Sequence, residues 1–267
     1  MSRARSIIRI APPVLLAFSL LGSGLAQAHG EASTDLDEFQ QHLDEYQQEV
    51  NQLSSLLDGI VDDYAADTDA AAGVDAFVEE WEEVGYHLVV ETKATPLYPA
   101  IWQGIVGLRD AISNEAPESD VRAAADDLEV ALWEGMGGVR LAAANPDLVS
   151  GGGEEQAAET PHDTIHHIED DLDHAVEDYA DGELAEAKDL IMKTYLNRFE
   201  GLEGDLIEQD PKLVVGLEED FNARLPMLMD DGAQVEEVQA KVDAMKKQLE
   251  RAEQLLMEKD KAKSEVF

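Results

Sequence analysis

LSSLLDGIVDDYA (residues 53–65) and IEDDLDHAVEDYA (168–180) together decide the fold. In both, apolar residues return every three or four positions, the spacing that puts them on one face of an α-helix. Leu57 falls on Leu172, Val61 on Val176 and Asp63-Tyr64 on Asp178-Tyr179, all 115 residues apart. The same offset carries Pro96 to Pro211 and Arg109 to Arg224, and by Val121 and Val235 it has slipped to 114. Duplication followed by divergence leaves such a drift.

Outward from these stretches the helical period continues, and no run of period two interrupts it. It predicts helices near 33–66, 72–93, 97–115, 119–144, 162–181, 183–208, 212–231 and 233–260. Breakers fall between them at Pro96, Pro117, Asn145-Pro146, Asp181-Gly182, Asp210-Pro211 and Gly232. The expected fold is all-α, a tandem duplication of an up-down four-helix bundle. Its halves are 29–145 and 162–267, and the glycine-rich stretch 146–161 reads as a flexible linker.

Residues 1–28 have the form of a Sec-type signal peptide: Arg3, Arg5 and Arg9, an apolar run, then Ala26-Gln27-Ala28. The expected mature chain begins at His29 and is periplasmic. No later apolar run approaches the roughly 20 residues that span a bilayer, so this chain is not expected to be a transporter itself. There is no cysteine for a disulfide or a lipid anchor. The formal charge is −40, or −43 without the three signal arginines. Such a surface repels nucleic acid and attracts cations or basic partners, and it also suits a salty habitat, where self-repulsion is screened.

Two clusters carry candidate metal chemistry. Around EEWEEVGYHLVVE (79–91), a helical wheel places Glu80, His87 and Glu91 beside the apolar stripe Phe77, Trp81, Val84 and Leu88, with Glu83 further round. His87 and Glu91, one turn apart, offer imidazole and carboxylate to one ion, a donor pair suited to iron or zinc. The alternative is a half-exposed histidine ion-paired at a bundle edge. In the second half PHDTIHHIEDDLDH (161–174) holds four of the seven histidines. His162, His166 and Glu169 flank the core stripe there, while His167, Asp170 and His174 face outward. Bundle cores build metal sites from facing side chains, so the inner trio is the stronger candidate. Tyr64 and Tyr179 are either phenolate ligands or buried tyrosines satisfied by one hydrogen bond. Met227 and Met229 read as core filling, with thioether binding of copper as the alternative.

Catalytic sets are missing from the sequence. It has no cysteine nucleophile, glycine-rich phosphate loop, Cys-x-x-Cys-His or His-Glu-x-x-His. The expectation is a non-catalytic protein.

TYLNRFEGLEGDL (194–206) and the stretch 217–256 resemble the soluble extracytoplasmic domain of bacterial high-affinity iron permeases. The resemblance lies in Phe199-Glu200 with Glu203, in Glu218-x-x-Phe221, in Arg224 and in the long closing helix. WEGMGGVRLAA (133–143) and ETKATPLYPAIW (91–102) are similar to a periplasmic companion of such permeases. The permease's membrane motif Arg-Glu-x-x-Glu is absent, since RFEGLE (198–203) has one residue too many. The resemblance implies an accessory protein that binds iron, with Glu200 and Glu203 among its ligands, and serves an iron permease in the inner membrane. Zinc and copper are the alternative metals, and a metal-free helical adaptor of the cell envelope is the alternative function.

Overall fold

Pro117, Asp210-Pro211, Gly182 and Gly232 stand at helix boundaries, as their chemistry requires. The computed structural model describes residues 41–145 and 160–265, and every regular element among them is helical. The protein is all-α. The elements of the first half are α1 (Leu43–Ala65), α2 (Ala70–Glu83), α3 (Gly85–Lys93), α4 (Tyr98–Ser113) and α5 (Glu118–Ala144). Those of the second are α6 (Pro161–Asp181), α7 (Leu184–Thr194), α8 (Glu200–Ile207), α9 (Pro211–Glu219), α10 (Leu225–Asp230) and α11 (Val235–Glu265). The signal-like segment, His29, the expected helix start at 33–40 and residues 146–159 of the expected linker lie outside the described residues.

Caps explain several boundaries. The Asp69 side chain accepts from the Ala72 amide and Asp210 from Leu213, each 3.2 Å away. Gly182 ends α6 at φ 85, a left-handed conformation that glycine adopts without steric cost. Tyr64 and Tyr179, related by the 115-residue offset, make matching bonds. Tyr64 donates to the carbonyl of Ala116 (2.5 Å) and Tyr179 to that of Ala233 (2.7 Å). These are tyrosines satisfied by one partner.

Three expected helices are interrupted. The helix expected over 72–93 breaks at Val84, which is extended with ψ 144. Glu49 of α1 supports the restart by accepting from the amides of Gly85 (3.3 Å) and Tyr86 (2.7 Å), an anionic cap on a helix N-terminus. Gly135 of α5 then lets Tyr86 come close, because a Cβ there would stand 2.4 Å from its hydroxyl. The helices expected over 183–208 and 212–231 each contain a π-helical turn, at Tyr195–Phe199 and Asp220–Arg224.

In the first half α1 packs on α2 and α5, and α4 packs on the same two. In the second half α6 lies between α7 and α11. The halves meet where α4 packs on the π turn Asp220–Arg224. There Gln103 donates to the Asn222 carbonyl (3.5 Å) and Arg109 pairs with Glu219. Arg224 binds the other oxygen of Glu219 at 3.3 Å. Arg109 and Arg224, the offset-related pair, thus share one carboxylate. The buried apolar residues of both halves form a single core cluster.

A shared core makes unfolding cooperative across the halves. Trp81, Trp102 and Trp133 all lie in the first half, so tryptophan fluorescence reports that half while circular dichroism reports the whole chain. The two denaturation curves are expected to coincide. Trp102→Ala, which empties a fully buried site in α4, is expected to cost about 3–5 kcal/mol with the transition still single; separate transitions would contradict the shared core.

Candidate metal centre

The break at Val84 changes which face of the chain turns inward. Beyond it His87 and Glu91 are both 4% exposed, whereas Leu88, assigned to the core stripe by the unbroken wheel, is only half-buried. A single wheel cannot describe a helix that stops and restarts with a new phase. Glu80 stays half-buried on α2, where Gln52 donates to it at 2.6 Å, and Glu83 is exposed.

His87 and Glu91 face a set of polar side chains from both halves. Glu82 comes from the end of α2, Tyr98 from the start of α4, Tyr195 from the first π turn, Glu203 from α8 and Glu218 from α9. The Tyr98 hydroxyl lies 2.7 Å from Nε2 of His87 and donates to Glu218 Oε1 at 3.1 Å. The Tyr195 hydroxyl donates to Glu91 Oε1 at 2.5 Å and stands 3.3 Å from Glu218 Oε1. One side chain atom each of Glu91, Glu203 and Glu218 lies within 4.8 Å of the other two, and the same holds for Glu82, His87 and Glu218. Both π turns adjoin this cluster, consistent with the frequent use of π-bulges at functional sites.

Aromatic rings wall the cluster. Trp81 lies 4.6 Å from His87 between ring centroids, His87 stacks on Tyr98 at 5.5 Å, and Tyr98 stacks on Tyr195 at 6.0 Å. Phe199 and Phe221 close the far side, 6.0 and 5.9 Å from Tyr195. These contacts exclude water and lower the local dielectric.

Burial therefore dominates the electrostatics. Desolvation first, then the neighbouring Glu218 charge, pushes Glu91 up to about 8. Glu218 rises to about 7 for the same first cause, moderated by hydrogen bonds from Tyr98 and Tyr195. Glu82 and Glu203 are held well above the ordinary carboxylate range by burial and by Glu218 and Glu91. Tyr98 and Tyr195 are pushed further up and remain neutral donors. Oε1 of Glu82, Oε1 of Glu203 and Oε2 of Glu218 are buried and accept from no donor group, Glu82 and Glu218 lying close enough to share a proton, and such a set costs free energy unless something binds it. The nearby cations are engaged elsewhere, Arg109 and Arg224 on Glu219 and Lys241 on Asp220.

Of the residues expected from sequence, His87, Glu91 and Glu203 belong to this cluster. Glu200 stands at its edge, half-buried, and its charge acts on Glu91. His162 and His166 form a separate surface group with Glu253 of α11, in which His162 contacts Glu253 and His166 lies 3.3 Å from Glu169. Glu82, Glu218, Tyr98 and Tyr195 were not among the expected ligands. Glu218 had a legible signal, since it sits within the apolar stripe Val214, Leu217, Phe221 and Leu225, all buried.

The raised carboxyls fix the sign of a pH effect. The folded chain keeps protons that the unfolded chain, at the ordinary value of 4.5, has released, so the metal-free protein loses stability as pH rises. The loss runs from about 4.5 to about 8. In urea denaturation with a chelator present, Glu91→Gln combined with Glu218→Gln is expected to gain on the wild type steadily through that window. A pH-independent difference would show that these carboxyls do not titrate as buried groups.

No family model, no curated protein and no solved structure matches the chain.

Proposed function

We propose that this chain is a non-catalytic periplasmic protein that binds a first-row transition-metal cation, iron for preference, and presents it to an iron permease. One observation carries the reading: carboxylates and an imidazole converge within 4.8 Å while three of the carboxylate oxygens are buried and accept from no donor group. Isolated buried charges are tolerated when they are paired or coordinate metals, and the cations nearby serve other carboxylates. A donor set of carboxylate and imidazole without sulfur suits iron, manganese or zinc better than cuprous copper. Release to a partner is compatible with such a site, because protonated carboxyls let the metal-free chain remain folded. The acidic surface, formally −40, raises the local cation concentration around the site.

We also propose that the two halves descend from a duplicated four-helix bundle. The matching Tyr64 and Tyr179 hydrogen bonds support that descent.

Salt separates the site from the surface. Diffuse attraction is screened within about 3 Å in about 1 M salt, whereas coordinated ions keep their ligand bonds. Anaerobic titration of the full chain with ferrous iron in that salt is expected to retain tight binding. Glu91→Gln with Glu218→Gln is expected to weaken it at least tenfold, and His162→Ala with His166→Ala to leave it intact. Disappearance of all wild-type binding in salt would refute the metal-binding reading.

A further inference from the structure

The candidate donors fall into two trios that share one residue. Glu82, His87 and Glu218 form the first, and Glu91, Glu203 and Glu218 the second; within each, the ligand atoms lie within 4.8 Å of one another. Donors on opposite sides of one ion, each at about 2.0–2.2 Å, are separated by about 4.0–4.4 Å. Each trio is thus of about the size that closes on one ion, and the two trios have only Glu218 in common.

Glu218 is built to serve both trios. Its Oε1 accepts from Tyr98 and lies beside the Tyr195 hydroxyl, and its Oε2 is buried and accepts from no donor group. The same two tyrosines touch one member of each trio, Tyr98 at His87 and Tyr195 at Glu91. The shared carboxylate is therefore oriented from both sides, and its residue is only 1% exposed. Glu203, 5% exposed, likewise leaves Oε1 unpartnered.

Charge favours the same count. Glu82, Glu91, Glu203 and Glu218 are the carboxylates of the two trios. Fully ionised, they match the charge of two divalent cations, whereas with a single divalent ion two carboxyls would have to keep their protons and could not serve as ionised ligands.

We propose that the cluster holds a pair of divalent transition-metal ions bridged by Glu218, one bound by Glu82 and His87 and the other by Glu91 and Glu203. This rests on the metal-binding reading above and extends it from one cation to two.

The test uses the full chain, stripped of metal, with manganous ion as the probe under anaerobic conditions in about 1 M salt to remove diffuse binding. Two equivalents are expected to bind, and at saturation the paramagnetic resonance spectrum is expected to be that of a coupled pair. Glu82→Gln and Glu203→Gln, from opposite trios, are each expected to leave one equivalent with the hyperfine lines of an isolated ion. Glu218→Gln is expected to weaken both ions at least tenfold; should that variant fail to fold by circular dichroism, the other two decide the matter. One equivalent in the wild type, weakened by Glu82→Gln and Glu203→Gln alike, would overturn the pair while leaving a mononuclear site standing. Two equivalents untouched by either variant would also overturn it, and no salt-resistant binding at all would remove the metal site itself.

Discussion

The structure turns on three buried glutamates and a fourth, half-buried one, gathered against the apolar core with no ion pair to any of them among the described residues. Ionising them there is opposed by desolvation and by their mutual repulsion, and both effects raise the carboxyl groups above their ordinary range. Two of their immediate sequence neighbours provide the contrast. Glu219 and Asp220 follow Glu218 directly, yet Glu219 is held by Arg109 and Arg224 and Asp220 by Lys241. The fold can supply cations to buried acids, and it supplies them one residue away from the cluster.

Much of the local irregularity serves to bring those glutamates together. A straight helix over 72–93 would leave His87 and Glu91 at a bundle edge. The extended residue Val84, the cap from Glu49 and the space over Gly135 rotate them into the core. The π turns at Tyr195–Phe199 and Asp220–Arg224 place Tyr195 and Glu218 opposite. Each departure costs some backbone regularity, and all of them surround the same few atoms. The packing of α4 on the second π turn then fixes the two sets of residues relative to one another.

The sequence disclosed the helices because their apolar period is strong, and it disclosed Tyr64 and Tyr179 because each follows an aspartate at the same place in a matching helical pattern. It disclosed the pairing of His87 with Glu91 because one helical turn separates them. It could not disclose that Glu82 shares their site, since a wheel carried through Val84 puts the phase wrong. Nor could the helical period bring Glu203 and Glu218 to a histidine more than a hundred residues away, because that contact depends on how the halves pack. The surface group of His162, His166 and Glu253 shows the same limit, as its third member comes from the last helix.

The buried carboxylates are proposed to hold metal. The most direct measurement is anomalous diffraction from crystals of the iron-loaded protein, collected at the iron absorption edge. The anomalous density is expected between Glu82, His87, Glu91, Glu203 and Glu218. Density confined to the surface at His162, His166 and Glu253, with nothing among the buried carboxylates, would contradict it.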